Sequence, residues 1–325
     1  MPNSTQSGGA STNYGVLYQT LWCLMKAARI RVGKGVFPGT NTDALIILEP
    51  YGGGGDITLQ TTITEVDQVK AKADQGTWSL QTVIRDVLPD LFLAIKDDST
   101  TYRLRFVTEG TRGRWDDVYK FFRRIGDSPE PDTVLGALDD KVVLKFQTRH
   151  TTNSNETASI FVHESYTERT LFELIASQIK SRPMIARQNL PDGIFLKRVW
   201  KLLGAFEFEG NQRLLDVQRE IDQLLLSVVD HRDDIPQVRQ ALAFSLMDKA
   251  ASGNAEVTAK SLFTEHHLNA HSLLEWTSLR NRAKQDFVER IKRTGYESNL
   301  DVRKSDSVEI VSSWDPSRRV LIFAG

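Results

Sequence analysis

The sequence predicts a mixed α/β domain with a small sheet flanked by helices, followed by a mainly α-helical segment. Three observations carry this. Short runs rich in Val, Ile and Thr crowd residues 44–108. Helical periodicity brackets and interrupts them, at 14–30 and 79–95. After Tyr166 the strand signals thin out and apolar spacings of three and four take over.

In order, residues 1–13 are rich in Ser, Thr, Asn and Gly and are expected to form a flexible N-terminus. Leu17, Leu21, Leu24, Met25 and Ala28 then recur as one helical face, with Gly33 and Gly35 as stop signals. Residues 44–49 read as a strand, 51–55 as a Gly-rich turn and 56–63 as its hairpin partner. Residues 65–72 give a third strand. Residues 79–95 carry Val83, Ile84, Val87, Leu88, Leu91 and Phe92 at helical spacing, and Pro89 is expected to kink or divide that helix. Residues 102–108 alternate as a fourth strand, and 116–125 form a short helix. Further strands are expected at 142–146 and 159–162, and helices at 171–179, 214–228, 237–249 and 273–291.

Composition narrows the function. A chain of 325 residues suits two or three domains. A hydrophobic fraction of 40% with 26% charged excludes wholesale disorder. The 41 Lys and Arg nearly cancel the 42 Asp and Glu, which excludes a protein that coats nucleic acid through bulk charge but leaves room for a local site. The single cysteine, Cys23, makes no internal disulfide and reads as a small core residue on an apolar helix face. No apolar run approaches the ~18 residues of a membrane span. The first residues lack the basic and apolar regions of a secretory signal, so a cytoplasmic protein without a membrane partner is expected.

The residues that carry chemistry are Asp56, Gln68 and Lys70. Asp56 opens a strand directly after the Gly-rich turn. Gln68 and Lys70 lie two apart on the next strand, so they share one face, while Glu65, Asp67 and Val69 take the other. An acid, an amide and an ammonium on neighbouring strands suit metal-assisted cleavage of a phosphodiester. Asp56 offers a hard oxygen to Mg²⁺ or Mn²⁺, and the Gln68 amide oxygen and the Val69 carbonyl add ligands. Lys70 orients the attacking water and meets the charge that builds on phosphorus. The same spacing also fits a plain cross-strand ion pair on a sheet face.

The order helix, hairpin bearing Asp56, strand bearing Gln68-Val69-Lys70, helix, strand resembles the PD-(D/E)xK nuclease superfamily, with a restriction-endonuclease-like fold. With Gly8-Gly9-Ala10, Tyr18-Gln19 and Trp78 added, the chain looks like the nuclease domains of CBASS effectors and of Avs-type STAND NTPases. That resemblance implies a bacterial antiphage effector that cuts double-stranded DNA with Mg²⁺. It also implies assembly into a homo-oligomer that pairs nuclease domains, as a dimer or tetramer, with a phage-derived trigger. It gives Gln19 a role beside the scissile phosphate. Two departures stand out. Gly55 replaces the usual proline before the acid, and Gln68 replaces a carboxylate, for which Glu49 is the expected substitute.

The domain reading is 14–163 for the nuclease-like unit, 164–300 for a helical connector and 301–325 for the start of a STAND-type NTPase. The last of these rests on Val320-Leu-Ile-Phe-Ala-Gly325, a strand that stops on a glycine where a phosphate loop begins. ATP would act only through a domain beyond residue 325. Residues 103–124 hold seven basic residues against Glu109, Asp116 and Asp117, interleaved with aromatics. Lys72, Arg112 and Arg114 are therefore the expected phosphate contacts. His266, His267 and His271 lack the HExxH pattern and read as helix surface. Two other readings remain: a nuclease-like module that binds nucleic acid without cutting, and a helical self-assembly scaffold.

Overall fold

The computed structural model describes residues 7–34, 40–48, 55–72, 75–97, 99–145, 160–161, 165–229, 235–251, 256–265, 300–302 and 310–312. Glu49, most of the Gly-rich turn, the helix at 273–291, the three histidines and the strand ending at Gly325 lie outside them.

The chain opens with helix α1 (Ser7–Arg31). It begins inside the segment expected to be flexible. Ser, Gly and Asn are poor helix formers, but the helix is anchored further along by tertiary packing, which overrides local propensity. From Tyr18 to Ala28 every side chain of α1 is buried or nearly so. This explains the lack of a polar face in the sequence: the helix is covered by the sheet on one side and by later helices on the other.

The hairpin strands β1 (Leu45–Leu48) and β2 (Ile57–Gln60) pair antiparallel, and β2 pairs antiparallel with β3 (Thr64–Lys70). A short β4 (Thr77–Trp78) precedes helices α2 (Leu80–Asp86) and α3 (Leu88–Leu93). Ser79 caps α2 by accepting the Thr82 N–H, and Val87 divides the two helices, as Pro89 led one to expect. Proline tolerates only the first turn of a helix, so a new one starts there.

Strand β5 (Tyr102–Thr108) runs parallel to β3, from Thr64↔Tyr102 to Lys70↔Thr108. Then follow β6 (Thr111–Arg112), paired with β4, and α4 (Asp116–Asp127). Strand β7 (Val142–Lys145) pairs with β8 (Ser165–Thr167). Buried Tyr166 supplies the apolar contact there, and Thr167 doubles as the N-cap of α5 (Glu168–Lys180).

After α6 (Pro183–Ala186) and α7 (Asp192–Ala205) comes β9 (Phe206–Glu209), parallel to β5. Helices α8 (Leu214–Leu225) and α9 (Ile235–Ala251), strand β10 (Glu256–Thr258) and helix α10 (Ala259–Glu265) complete this part. Strands β11 (Leu300–Val302) and β12 (Ile310–Ser312) pair with each other.

The main sheet has the order β10-β1-β2-β3-β5-β9. Both edge strands therefore come from the segment expected to be a helical connector. They are only four and three residues long, too short to give a clear alternation in sequence. One core joins the sheet to α2, α3, α4, α5 and α7 through Val66, Leu104, Phe106 and Phe206. The other joins it to α1, α8, α9 and α10 through Ile46, Ile57, Val69 and Val107. The result is a mixed sheet flanked by helices on both faces. Among the described residues no helix is long and apolar enough to cross a membrane.

Candidate active site at the end of the central strand

Strand β3 is bonded on both sides, and its carboxyl end is where the hairpin ladder gives out. The last registered pair there is Ile57↔Asp67. One residue earlier, the Asp56 N–H still donates to the Asp67 carbonyl at 2.8 Å. The Asp56 carboxylate then continues the ladder in place of backbone. Its Oδ2 accepts the Val69 N–H at 2.6 Å and the Gln68 Nε2 at 2.9 Å. Burial raises the Asp56 carboxyl from the usual carboxylate range to about 6. The Lys70 charge, the Val69 N–H and the Gln19 amide pull it down, and the charge of Asp90 pushes it further up.

Gln19 reaches this point from α1. Its Nε2 donates to the Val69 carbonyl at 3.3 Å, so α1 closes over this end of the sheet. Asp56, Gln68, Lys70, Gln19 and Val69 are thus brought together. The Gln68 amide turns its nitrogen to Asp56, so its oxygen does not share that side of the amide. The Val69 carbonyl already holds one donor.

Asp90 is the residue that sequence reasoning missed. It stands in the first turn of α3 and shares the field of Lys70 with Asp56. Burial raises its carboxyl, Lys70 and Arg182 oppose that, and Asp86 adds to it. In sequence it is one acid in an amphipathic helix. The available signal was Pro89: the proline starts a helix here and puts Asp90 in its first turn.

The expected phosphate contacts fare differently. The Lys72 N–H donates to Glu109 Oε2 at 3.0 Å, and its Nζ lies 4.9 Å from the centre of the Trp78 ring. Arg112 is engaged internally, with Asp116 at 2.6 Å and the Tyr119 ring 4.2 Å below its guanidinium. Arg114 is exposed. The wider basic stretch is largely consumed by ion pairs. Arg105 meets Glu65, Asp67 and Glu209, Arg103 meets Glu207, and Arg124 meets Glu168. Trp78 donates to Thr108 Oγ1 at 2.8 Å and packs edge-on against Phe106. Cys23 is buried, which pushes its thiol up to about 12 and leaves it inert as a nucleophile.

The opposite face of β3 holds a second charged cluster with no solvent access. Lys26 from α1 contacts Glu65, and its Nζ lies 2.6 Å from Asp67 Oδ2. Trp22 Nε1 donates to the same oxygen at 2.8 Å. Arg105 donates to Asp67 from Nε at 2.8 Å and to Glu65 from Nη2 at 2.6 Å. Sequence parity placed Glu65 and Asp67 on this face but gave no sign of the partners, which come from α1 and β5. Nearby, buried Glu109 accepts the Tyr14 hydroxyl at 2.6 Å and the Leu214 N–H at 3.1 Å. With Lys72, this ties the end of β3 to both α1 and the start of α8.

Among the described residues, no three His, Cys, Asp or Glu side chains gather to hold a metal ion. No family model matches the chain, and neither a curated protein nor a solved structure matches it.

Proposed function

We propose that the end of β3 is the active site of a metal-dependent DNA endonuclease with a restriction-endonuclease-like fold, of the PD-(D/E)xK kind. The observation that carries this reading is the convergence of Asp56, Val69, Lys70 and Gln19 at one strand end. A plain surface ion pair gives no reason for a partly buried acid to be raised to about 6 while sharing one lysine with a second acid. Such a perturbed carboxylate pair around a cation is a mark of a working site.

The donor chemistry fits Mg²⁺, which takes one or two carboxylates and keeps several waters. Asp56 would hold it, with Asp90 and the Val69 carbonyl as further oxygen donors. Bound there, the ion polarises a phosphate and acidifies water. Lys70 orients the attacking water and meets negative charge on the phosphate oxygens. Gln19 fixes the Val69 carbonyl, and Gln68 and the Val69 N–H hold the Asp56 carboxylate in one rotamer. A double-strand break takes two such sites, so pairing of two chains is the natural switch, consistent with a near-zero net charge that gives each chain little bulk attraction to DNA.

The test is plasmid cleavage with Mg²⁺ by the wild type, Lys70→Ala and Asp56→Asn. Loss of cleavage in both variants is expected, and equal cleavage by all three proteins sinks the assignment. The Gln68 nitrogen facing Asp56 favours one rival, a module that binds nucleic acid without cutting. Titration calorimetry with Mg²⁺ separates the two. Binding that disappears in Asp56→Asn supports the nuclease, and no binding supports the rival.

A further inference from the structure

Gly55 stands where the superfamily resemblance leads one to look for proline, and the backbone there excludes proline. Its φ is +81°, in the left-handed region, whereas proline is fixed near −65°. Space is as limited as conformation. A Cβ at Gly55 would lie 2.4 Å from Val66 Cγ1 and 3.1 Å from the Asp67 carbonyl oxygen. Val66 is a buried core residue on the central strand and cannot move aside cheaply. The Asp67 carbonyl is the group that accepts the Asp56 N–H. A side chain at position 55 therefore presses the chain away from β3 at the bond that seats Asp56.

We infer that Gly55 is the positioning residue of this site: its bare, left-handed backbone lets Asp56 close on β3 and set its carboxylate on the Val69 N–H. The catalytic consequence rests on the nuclease reading, but the placement of Asp56 does not.

The experiment reads the Val69 amide by NMR in four full-length proteins: wild type, Asp56→Ala, Gly55→Ala and Gly55→Ala/Val66→Ala. Asp56→Ala marks where the Val69 resonance lies once the carboxylate bond is gone. The expected result is that Gly55→Ala moves Val69 to that position and Val66→Ala, by removing the Cγ1 contact, brings it back toward the wild type. If Gly55→Ala does not fold, the double variant decides. Its Val69 resonance near the wild-type position supports the inference, and one at the Asp56→Ala position overturns it. An unmoved Val69 in folded Gly55→Ala also overturns it. In the same series, cleavage by Gly55→Ala falls about a hundredfold in kcat, as expected for a reacting group misplaced by ~1 Å. If the wild type does not cut, the nuclease reading fails and the Val69 comparison still stands.

Discussion

Asp56, just ahead of β2, is partly buried, Asp67 on β3 is fully buried, and the two behave oppositely. Burial pushes both carboxyls up. At Asp67 the charges of Arg105 and Lys26 outweigh burial and hold the acid well below the usual carboxylate range. At Asp56 one lysine, shared with Asp90, does not, and the acid rises to about 6. The two faces of β3 thus separate two uses of buried charge. A cluster with its own cations is neutralised in place and stabilises the sheet only while it is complete. A cluster short of cations keeps its acids raised toward the neutral form, as Asp56 and Asp90 are.

The largest expected effect comes from breaking the complete cluster. Lys26→Met leaves Glu65 and Asp67 to Arg105, with Arg103 3.4 Å from Glu65 and the Trp22 N–H on Asp67, and is expected to cost about 3–5 kcal/mol of stability. Urea denaturation checks this, and a loss under ~1 kcal/mol would mean that the cluster is already solvated.

The next test turns on sign. The folded Asp56 carboxyl lies above its unfolded value of about 3.9. Its contribution to stability is therefore fully present below pH ~3.9 and is lost as pH rises through about 6. Asp56→Asn keeps an acceptor for the Val69 N–H and removes the charge. It is expected to stabilise the fold by roughly 1–2 kcal/mol above pH 6, with the gain fading toward pH 4. Asp67, held low, works in reverse: its contribution stands above about pH 3.9 and is lost as acid protonates it. Stability curves of wild type and Asp56→Asn across pH 3–8 read both trends.

A smaller effect sharpens the site's membership. Asp90→Asn removes the like charge and is expected to lower the Asp56 titration midpoint, followed by carboxyl NMR. An unchanged midpoint would put Asp90 outside the site. Smallest of all is Arg112→Ala. Asp116 faces solvent and Arg112 is partly exposed over the Tyr119 ring, so loss of the pair is expected to cost about 1 kcal/mol in thermal unfolding.

What the sequence disclosed follows the range of the forces involved. Strand β5 was legible to the residue because its alternation is local, and the grouping of Asp56, Gln68 and Lys70 followed from pleat parity across one turn. The division at Val87 was legible because proline acts on its own backbone. The partners of Glu65 and Asp67 were not legible, because Lys26, Arg105 and Trp22 arrive from elements set only by the fold. Arg112 was expected to meet phosphate for the same reason: its engagement with Asp116 and the Tyr119 ring does not show in the sequence. Asp90 escaped notice because its meaning depends on where α3 lands.

The order of the sheet also bears on how the molecule is made. Strand β1 acquires its outer neighbour only when residues 256–258 exist, and β5 acquires its own only with residues 206–209. At 5–20 residues per second, roughly 10–40 s of synthesis separate residue 48 from residue 258. Until residue 209 a nascent sheet carrying Asp56 and Lys70 has two bare edges, and until residue 258 it keeps the one at β1, a template for pairing with other chains. Any shortened form intended to isolate those two residues therefore has to run to Thr258.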